Sequence, residues 1–305
     1  MRLNFLQLFL INLTILATNS EFFQILKDFD FDESNESIFL ISQSKVTNLF
    51  MCFKICKLEP KCAYLTLKSN KCSLNTKYAS FIKNYDQSSV IYTRLSTSDL
   101  KGLVYYWPIF NSSTNDIISR ADLNDPINAR FISNRFGIPN SAISLSFGHY
   151  KLPPRNYFDG DFTLMAWIKL TKTSDFQRFI DCGIKESNTV VVSLSKELSN
   201  KPHFVIFNRD NFSQLVVDSN NPLEIGVWNH LTFTFKNGLG SYYKNGVLDQ
   251  QRELEYPVNI LRTNCFLGKS NFRADSDASA DFDDIKLFKR ALGRDEILKE
   301  YYKDF

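Results

Sequence analysis

Glycine is scarce in this chain, 11 of 305 residues, and the two signs of charge nearly cancel, leaving a formal +3. The first shortage speaks against a disordered chain. Phe (28) and Tyr (13) supply instead the bulky side chains of a β-rich globular protein. The near balance leaves no charge excess for nucleic acid or a membrane surface as partner. Beyond the N-terminal leader no apolar run approaches the roughly 20 residues that span a bilayer. There is no internal repeat of fixed period and no long low-complexity tract. The polar end, Glu300 to Phe305, predicts that no lipid-anchor tail is present.

Nucleophilic catalysis is poorly supplied as well. Histidine occurs three times, at His149, His203 and His230, and there is no G-x-S-x-G elbow. His230 alternates with Thr232 and Thr234, which predicts a half-exposed strand position and no catalytic base.

What the chain does carry starts at its N-terminus. Arg2 precedes an uncharged run from Leu3 to Ala17, and the small polar stretch Ala17-Thr18-Asn19-Ser20 ends at Glu21. That order predicts a secretory signal peptide over residues 1–20, with no membrane span after cleavage. A retained anchor is the alternative. Six cysteines then enter an oxidising compartment, where disulfides form. Asn35, Asn111 and Asn211 each open an Asn-x-Ser/Thr acceptor, so a secreted glycoprotein is expected.

Cysteine spacing divides the chain. Four cysteines fall from Cys52 to Cys72, whereas Cys182 and Cys265 stand apart. The polar stretch Leu95-Ser96-Thr97-Ser98-Asp99 marks a junction, giving a domain over 21–95, a linker over 96–101 and a domain over 102–305. In the first domain Ser44 or Thr47 is expected to cap a helix running to about Leu58, before the stop at Pro60. Cys52 and Cys56 share one face of that helix. A hairpin follows: Cys62 to Leu67, a turn at Lys68-Ser69-Asn70-Lys71, and Cys72-Ser73-Leu74 returning. Two helix thiols thus face two hairpin thiols. Four cysteines allow three pairings, of which the nested one, Cys52–Cys72 with Cys56–Cys62, keeps the short loop short.

Residues Phe22 to Arg94 resemble the PAN/apple family, a helix with C-x-x-x-C stapled to a hairpin. The resemblance implies protein or carbohydrate binding and transfers no catalytic residue. The cysteines that tie the two ends of many such domains are missing here. A zinc site is the competing reading of four close cysteines, but the paired C-x-x-C knuckles are absent. Lysines from Lys45 to Lys83 surround this framework, with Glu59 the only acid among the cysteines, and an acidic stretch from Asp28 to Glu36 precedes them. A basic face for acidic glycans is one expectation; a solvated surface neutralised by that stretch is the other.

The second region reads as strands throughout. Phe162, Leu164, Ala166, Ile168 and Leu170 line one face of a strand, as do Leu231, Phe233 and Phe235 of another. Asn237-Gly238 and Asn245-Gly246 are hairpin turn signals, because both residues of each pair tolerate positive φ. Only the tail looks helical, starting near Gly293, with Ile297, Leu298, Tyr301 and Tyr302 as its expected buried stripe. The fold class expected is mainly β, an antiparallel jelly-roll sandwich preceded by a small α+β disulfide domain.

Six stretches in order resemble the laminin-G-like, concanavalin A-like jelly roll, the group that also holds the pentraxins. They are Gly102 to Ile109, Asp161 to Leu170, Gly226 to Phe235, Tyr242 to Leu248, Cys265 to Ser270 and Phe282 to Ile297. The resemblance implies extracellular recognition of glycans, proteins or lipids, often with calcium.

Jelly rolls also occur in glycanases, which need two carboxylates flanking the scissile bond. The E-x-D-x-E run of the jelly-roll glucanases is absent, and Glu253-Leu254-Glu255 reads as a solvated edge. No cofactor is required on this reading. Calcium is the metal for which the sequence offers ligands, at Asp281, Asp283 and Asp284, with Asp275 and Asp277 just upstream. Cys182 and Cys265 are expected to bridge, a closure worth ~4–5 kcal/mol in the chain-entropy account. The function expected is recognition or adhesion through a glycan or extracellular protein ligand, without catalysis. The alternative is a secreted carbohydrate-active enzyme.

Overall fold

The computed structural model describes residues 22–27, 29–31, 40–45, 64–68, 71–75, 81–83, 90–95, 101–109, 112–208 and 215–303. The leader, the segment 46–63 with most of the helix expected to run to about Leu58, and Cys52, Cys56 and Cys62 lie outside the described residues. So do Asn35, Asn111 and Asn211. The chain falls into two compact units, Met1–Lys101 and Gly102–Phe305.

The first unit is built from β1 (Phe22–Lys27), β2 (Phe29–Phe31), β3 (Leu40–Lys45), β4 (Tyr64–Lys68), β5 (Lys71–Asn75), β6 (Phe81–Lys83) and β7 (Val90–Leu95). Five of them form a sheet in the order β1-β7-β4-β5-β3, and β2 pairs with β6. The hairpin read from the sequence is β4–β5, with Leu67 opposite Cys72 and Lys68 opposite Lys71. Leu65, Cys72 and Leu74 are buried, and Cys72 is disulfide-bonded. Ser44, one of the two expected helix caps, lies instead in β3, opposite Cys72. Its extended pairing to β5 leaves no helix start at that position.

In the second unit the strands are β8 (Leu103–Trp107), β9 (Asn124–Ile132), β10 (Ala142–Leu152), β11 (Phe162–Leu170), β12 (Arg178–Gly183), β13 (Val190–Ser193) and β14 (His203–Ile206). They continue as β15 (Val216–Asp218), β16 (Trp228–Lys236), β17 (Leu239–Lys244), β18 (Val247–Glu253), β19 (Asn264–Leu267) and β20 (Ala280–Phe288), followed by helix α1 (Arg294–Lys303). All pairings are antiparallel, in the order β15-β14-β13-β12-β19-β10-β20-β11-β16-β17-β18, with β8 against β20 and β9 against β10. β10 is the hinge of this ladder. Its Ile143 and Ser144 pair with β20, and its Tyr150 to Leu152 pair with β19. The ladder folds over there into two layers, one holding β11, β16 and β20, the other β12, β13, β14 and β19.

Alternation along each strand fills the space between the layers. Phe162, Leu164, Ala166, Ile168 and Leu170 of β11 enter the core, as do Leu231, Phe233 and Phe235 of β16. Aromatic rings dominate it: Phe162 stacks on Phe235 at 5.9 Å, Phe179 on Phe282 at 5.8 Å and Phe233 on Tyr242 at 5.0 Å. Both Asn-Gly turns take positive φ at both residues, 49° and 84° at 237–238 and 53° and 77° at 245–246.

Two devices lock the β12–β19 register. Cys182 and Cys265 lie directly opposite and are bridged, 83 residues apart in sequence. Arg262, fully buried, donates to the carbonyls of Cys182, Asn188, Phe158 and Val258 at 2.8–3.2 Å. Burial lowers its pKa to about 10, so the guanidinium stays charged at neutral pH. Removing it orphans four acceptors together, each worth about 1–3 kcal/mol when left unpaired and buried. Arg262→Met is therefore expected to cost at least about 3 kcal/mol in urea unfolding, and a loss below ~1 kcal/mol contradicts the role.

Candidate functional site

The two layers present very different outer faces. That of β11, β16 and β20 is sealed. Met165, Phe288, Leu292 and Ile297 pack together there beneath α1. Trp167 stacks on Tyr301 of the helix at 5.8 Å, and His230 lies 5.4 Å from Trp167. His230 is 2% exposed, so the expected half-exposed position is corrected: the helix covers that face. Tyr302, expected in the helix's buried stripe, is 62% exposed.

This face also takes the aspartates expected to hold calcium. Arg135, from the β9–β10 connection, lies 2.6 Å from Asp283 and 2.9 Å from Asp284, with its guanidinium 4.6 Å from the Trp167 ring. Neighbouring strand residues normally point to opposite faces. Here Asp284 takes φ +50° beside a shift in the β11–β20 register, and both carboxylates reach one arginine. Tyr106 donates to Asp284 at 2.7 Å, Lys286 pairs with Glu300 of α1 at 2.9 Å, and Lys169 pairs with Asp281 at 2.7 Å. Cations of the chain itself thus face the three aspartates in which the sequence offered calcium ligands. Among the described residues no group of His, Cys, Asp or Glu is arranged to hold a metal ion.

Burial lowers the pKa of His230 to about 3, aided by the nearby charge of Lys286. Burial alone raises that of Asp284, but the Arg135 and Lys286 charges and the bonds from Tyr106 and Arg135 outweigh it and bring it below the ordinary value.

At one end of the second layer lies an open rim built from three connections and a bulge. The connections are 171–177, 194–202 and 268–279; the bulge is in β10, where pairing with β9 slips between Leu145 and His149. Gly148 lets β9 pass close: a Cβ there would lie 2.3 Å from the Ile127 carbonyl oxygen. Beside it Phe147 is 44% exposed at φ +51°. Its N–H donates to Ser279 Oγ at 3.0 Å, and the Lys172 ammonium stands 5.1 Å from its ring centroid.

Fully buried Gln177 holds these parts together. Its Oε1 accepts from Ser279 N at 2.7 Å, its Nε2 donates to Lys172 O at 2.8 Å, and its N–H donates to Ser195 Oγ at 3.0 Å. The neighbouring Phe176, half-buried, also has a left-handed backbone at φ +42°. Its ring meets His203 edge-on at 6.3 Å and lies 5.7 Å from the Arg178 guanidinium.

Charge at this end is fixed in pairs. Arg178 bonds Asp275 and, at 2.7 Å, Ser193 Oγ. His149 pairs with Asp277 at 2.7 Å. Asp218 pairs with His203 at 2.6 Å and Lys196 at 2.7 Å; chiefly the His203 hydrogen bond holds its pKa down to about 2. Asp181, fully buried, accepts from Thr189 Oγ1 at 2.5 Å and from Asn271 Nδ2 and N at 2.7 and 2.9 Å, which pins the 268–279 connection to β12. The sequence singled out none of Phe147, Phe176 or Gln177; its only signal there was aromatic residues in loops.

His230 yields a pH test. In the unfolded chain it titrates near 6.5. Between pH 6.5 and about 3 the unfolded chain binds a proton that folded His230 does not, so stability is full above that window and falls as pH drops through it. Wild type is expected to lose up to about 1.4 kcal/mol per pH unit more than His230→Gln between pH 6.5 and 4. Parallel stability–pH curves for the two proteins contradict the burial.

No curated protein matches this chain in sequence. Among solved structures it is similar to domain 4 of AbnA, a GH43 extracellular arabinanase from Geobacillus stearothermophilus, in complex with arabinotriose. The TM-score is 0.55 at 14% identity, over 65% of this chain and 97% of that one. It is also similar to the binding domain of botulinum neurotoxin DC in complex with SialylT (0.50, 14%, 67% of this chain and 52% of that). A third is Trypanosoma rangeli sialidase (0.50, 17%, 70% and 34%). The chain thus spans about half of the toxin domain and a third of the sialidase, and these identities show a shared fold. A family profile described as the concanavalin A-like lectin/glucanases superfamily matches residues 146–298, from the β10 bulge to α1. That match covers half of the chain and coincides with the two-layered sandwich, and the chain belongs to this superfamily.

Proposed function

We propose that the chain is a secreted, non-enzymatic recognition or adhesion protein that binds glycan or protein ligands at the rim of its sandwich, with a PAN/apple-like module ahead of it. The observation that carries this reading is the pair of strained aromatics. A left-handed backbone at a bulky residue costs about 1–3 kcal/mol and persists only where its surroundings impose it. Here the Gln177–Ser279 latch imposes it and aims Phe147 at solvent. A flat ring bordered by fixed polar groups suits a sugar face or an apolar side chain. The arabinotriose and SialylT complexes of two neighbours support the glycan side.

The rim carboxylates favour recognition over hydrolysis. A general acid of glycoside cleavage needs a raised pKa. Asp218 is instead held down to about 2, chiefly by the His203 hydrogen bond. Secretion is supported by the leader, the sequons and the Cys182–Cys265 bridge. No helix among the described residues is long and apolar enough to cross a membrane.

A glycan array with and without calcium, probed with wild type and Phe147→Gly, tests the reading. Glycine relaxes the left-handed backbone, so the variant is expected to gain about 1 kcal/mol in stability while losing about tenfold in affinity. Unchanged binding by the variant removes the rim from the reading. Release of reducing sugar from a bound glycan moves the protein to the alternative, a carbohydrate-active enzyme.

A further inference from the structure

Beside the rim, on the outer side of the second layer, Phe266 of β19 is half-buried. Lys151 of β10 lies directly opposite it in the ladder and so shares its face. The Lys269 ammonium stands 5.5 Å from the Phe266 ring centroid. His149 meets the ring edge-on at 5.8 Å and is itself tied to Asp277.

Several lysines of this unit are neutralised by the chain's own acids. Lys169, Lys196, Lys286 and Lys289 each hold a carboxylate within 2.9 Å. Lys151 and Lys269 hold none among the described residues, and three acids of the rim side are engaged elsewhere. Asp277 belongs to His149, Asp275 to Arg178, and Asp181 to Thr189, Ser270 and Asn271. The Lys269 ammonium and the Lys151 side chain therefore border one aromatic ring, and both residues are half-buried, on β10 and on the connection that follows β19.

We infer that Phe266, Lys151 and Lys269 form a subsite for an acidic sugar. The pyranose ring lies on Phe266, and its carboxylate or sulfate lies between the two ammonium groups. The inference rests on the glycan reading above and names the class of sugar. Ammonium groups act as point charges and accept either anion without the paired geometry that a guanidinium imposes. Lys269, already over the ring, closes a ring–cation–anion arrangement when the anion arrives.

The test uses the intact secreted chain and three immobilised polymers: heparin, polygalacturonate and dextran. Wild type is expected to bind at least one acidic polymer more than tenfold tighter than dextran, and raising salt from about 0.05 to 0.5 M is expected to erase the difference. Preference for heparin identifies sulfate as the anion, and preference for polygalacturonate identifies carboxylate. Lys151→Gln with Lys269→Gln is expected to lose at least tenfold, Lys151→Arg with Lys269→Arg to retain binding, and Phe266→Leu to lose affinity with its salt dependence unchanged. Equal binding of all three polymers, or a double Gln variant that binds acidic polymers as wild type does, overturns the subsite. Dextran binding that Phe147→Gly abolishes, without acidic preference, leaves the rim reading standing alone. Failure to bind any glycan removes both.

Discussion

A guanidinium with no carboxylate against it sets the geometry on which the rim depends. Arg262 gathers carbonyls from four separate segments, and three residues later Cys265 is bridged to Cys182. Together they fix β19 against β12 at the end remote from the rim. A slip of one residue in this pair turns every side chain to the opposite face. With the register locked, Arg178 and Asp181 of β12 hold Asp275, Ser270 and Asn271 of the 268–279 connection, and Phe266 of β19 comes beside them. The carbonyl contacts are directional and the disulfide is covalent, so one supplies alignment and the other persistence.

The division of labour between the two outer faces follows from where α1 lies. Any sheet in a sandwich has one face for the core and one to dispose of. On the β11 side the helix covers the spare face, and the polar groups beneath it satisfy one another: Arg135 with Asp283 and Asp284, Lys286 with Glu300. Such a network favours one packing of the helix, and its charges are turned on one another. On the β12 side short connections border the sheet, and rings and ammonium groups keep contact with water.

The architecture of the second unit was legible because local and global signals agree. Alternation in β11 and β16, two Asn-Gly turns and a short amphipathic tail each name one structure, and the core follows. The site was less legible because its determinants are long-range. Phe147 owes its exposure to a bulge set by β9 and to a latch from residues 177 and 279, none of which is local in sequence. Asp281, Asp283 and Asp284 read as a ligand loop until Arg135, about 150 residues away, neutralises two of them. His230 read as half-exposed since nothing in its strand announces the helix that will cover it. Ser44 read as a cap because its hydroxyl suits one; pairing with β5 claims it instead.

The outermost strand of the second unit, β9, carries a consequence for life at high concentration. Among the described residues it pairs only with β10, and most of its residues are exposed. A strand in that position usually offers a row of unpaired backbone groups to any passing chain. Pro126 removes one donor from that row, and left-handed Asp125 and Asn128 on either side turn the neighbouring groups out of line. The irregular strand that helps to shape the β10 bulge therefore also denies other copies a template.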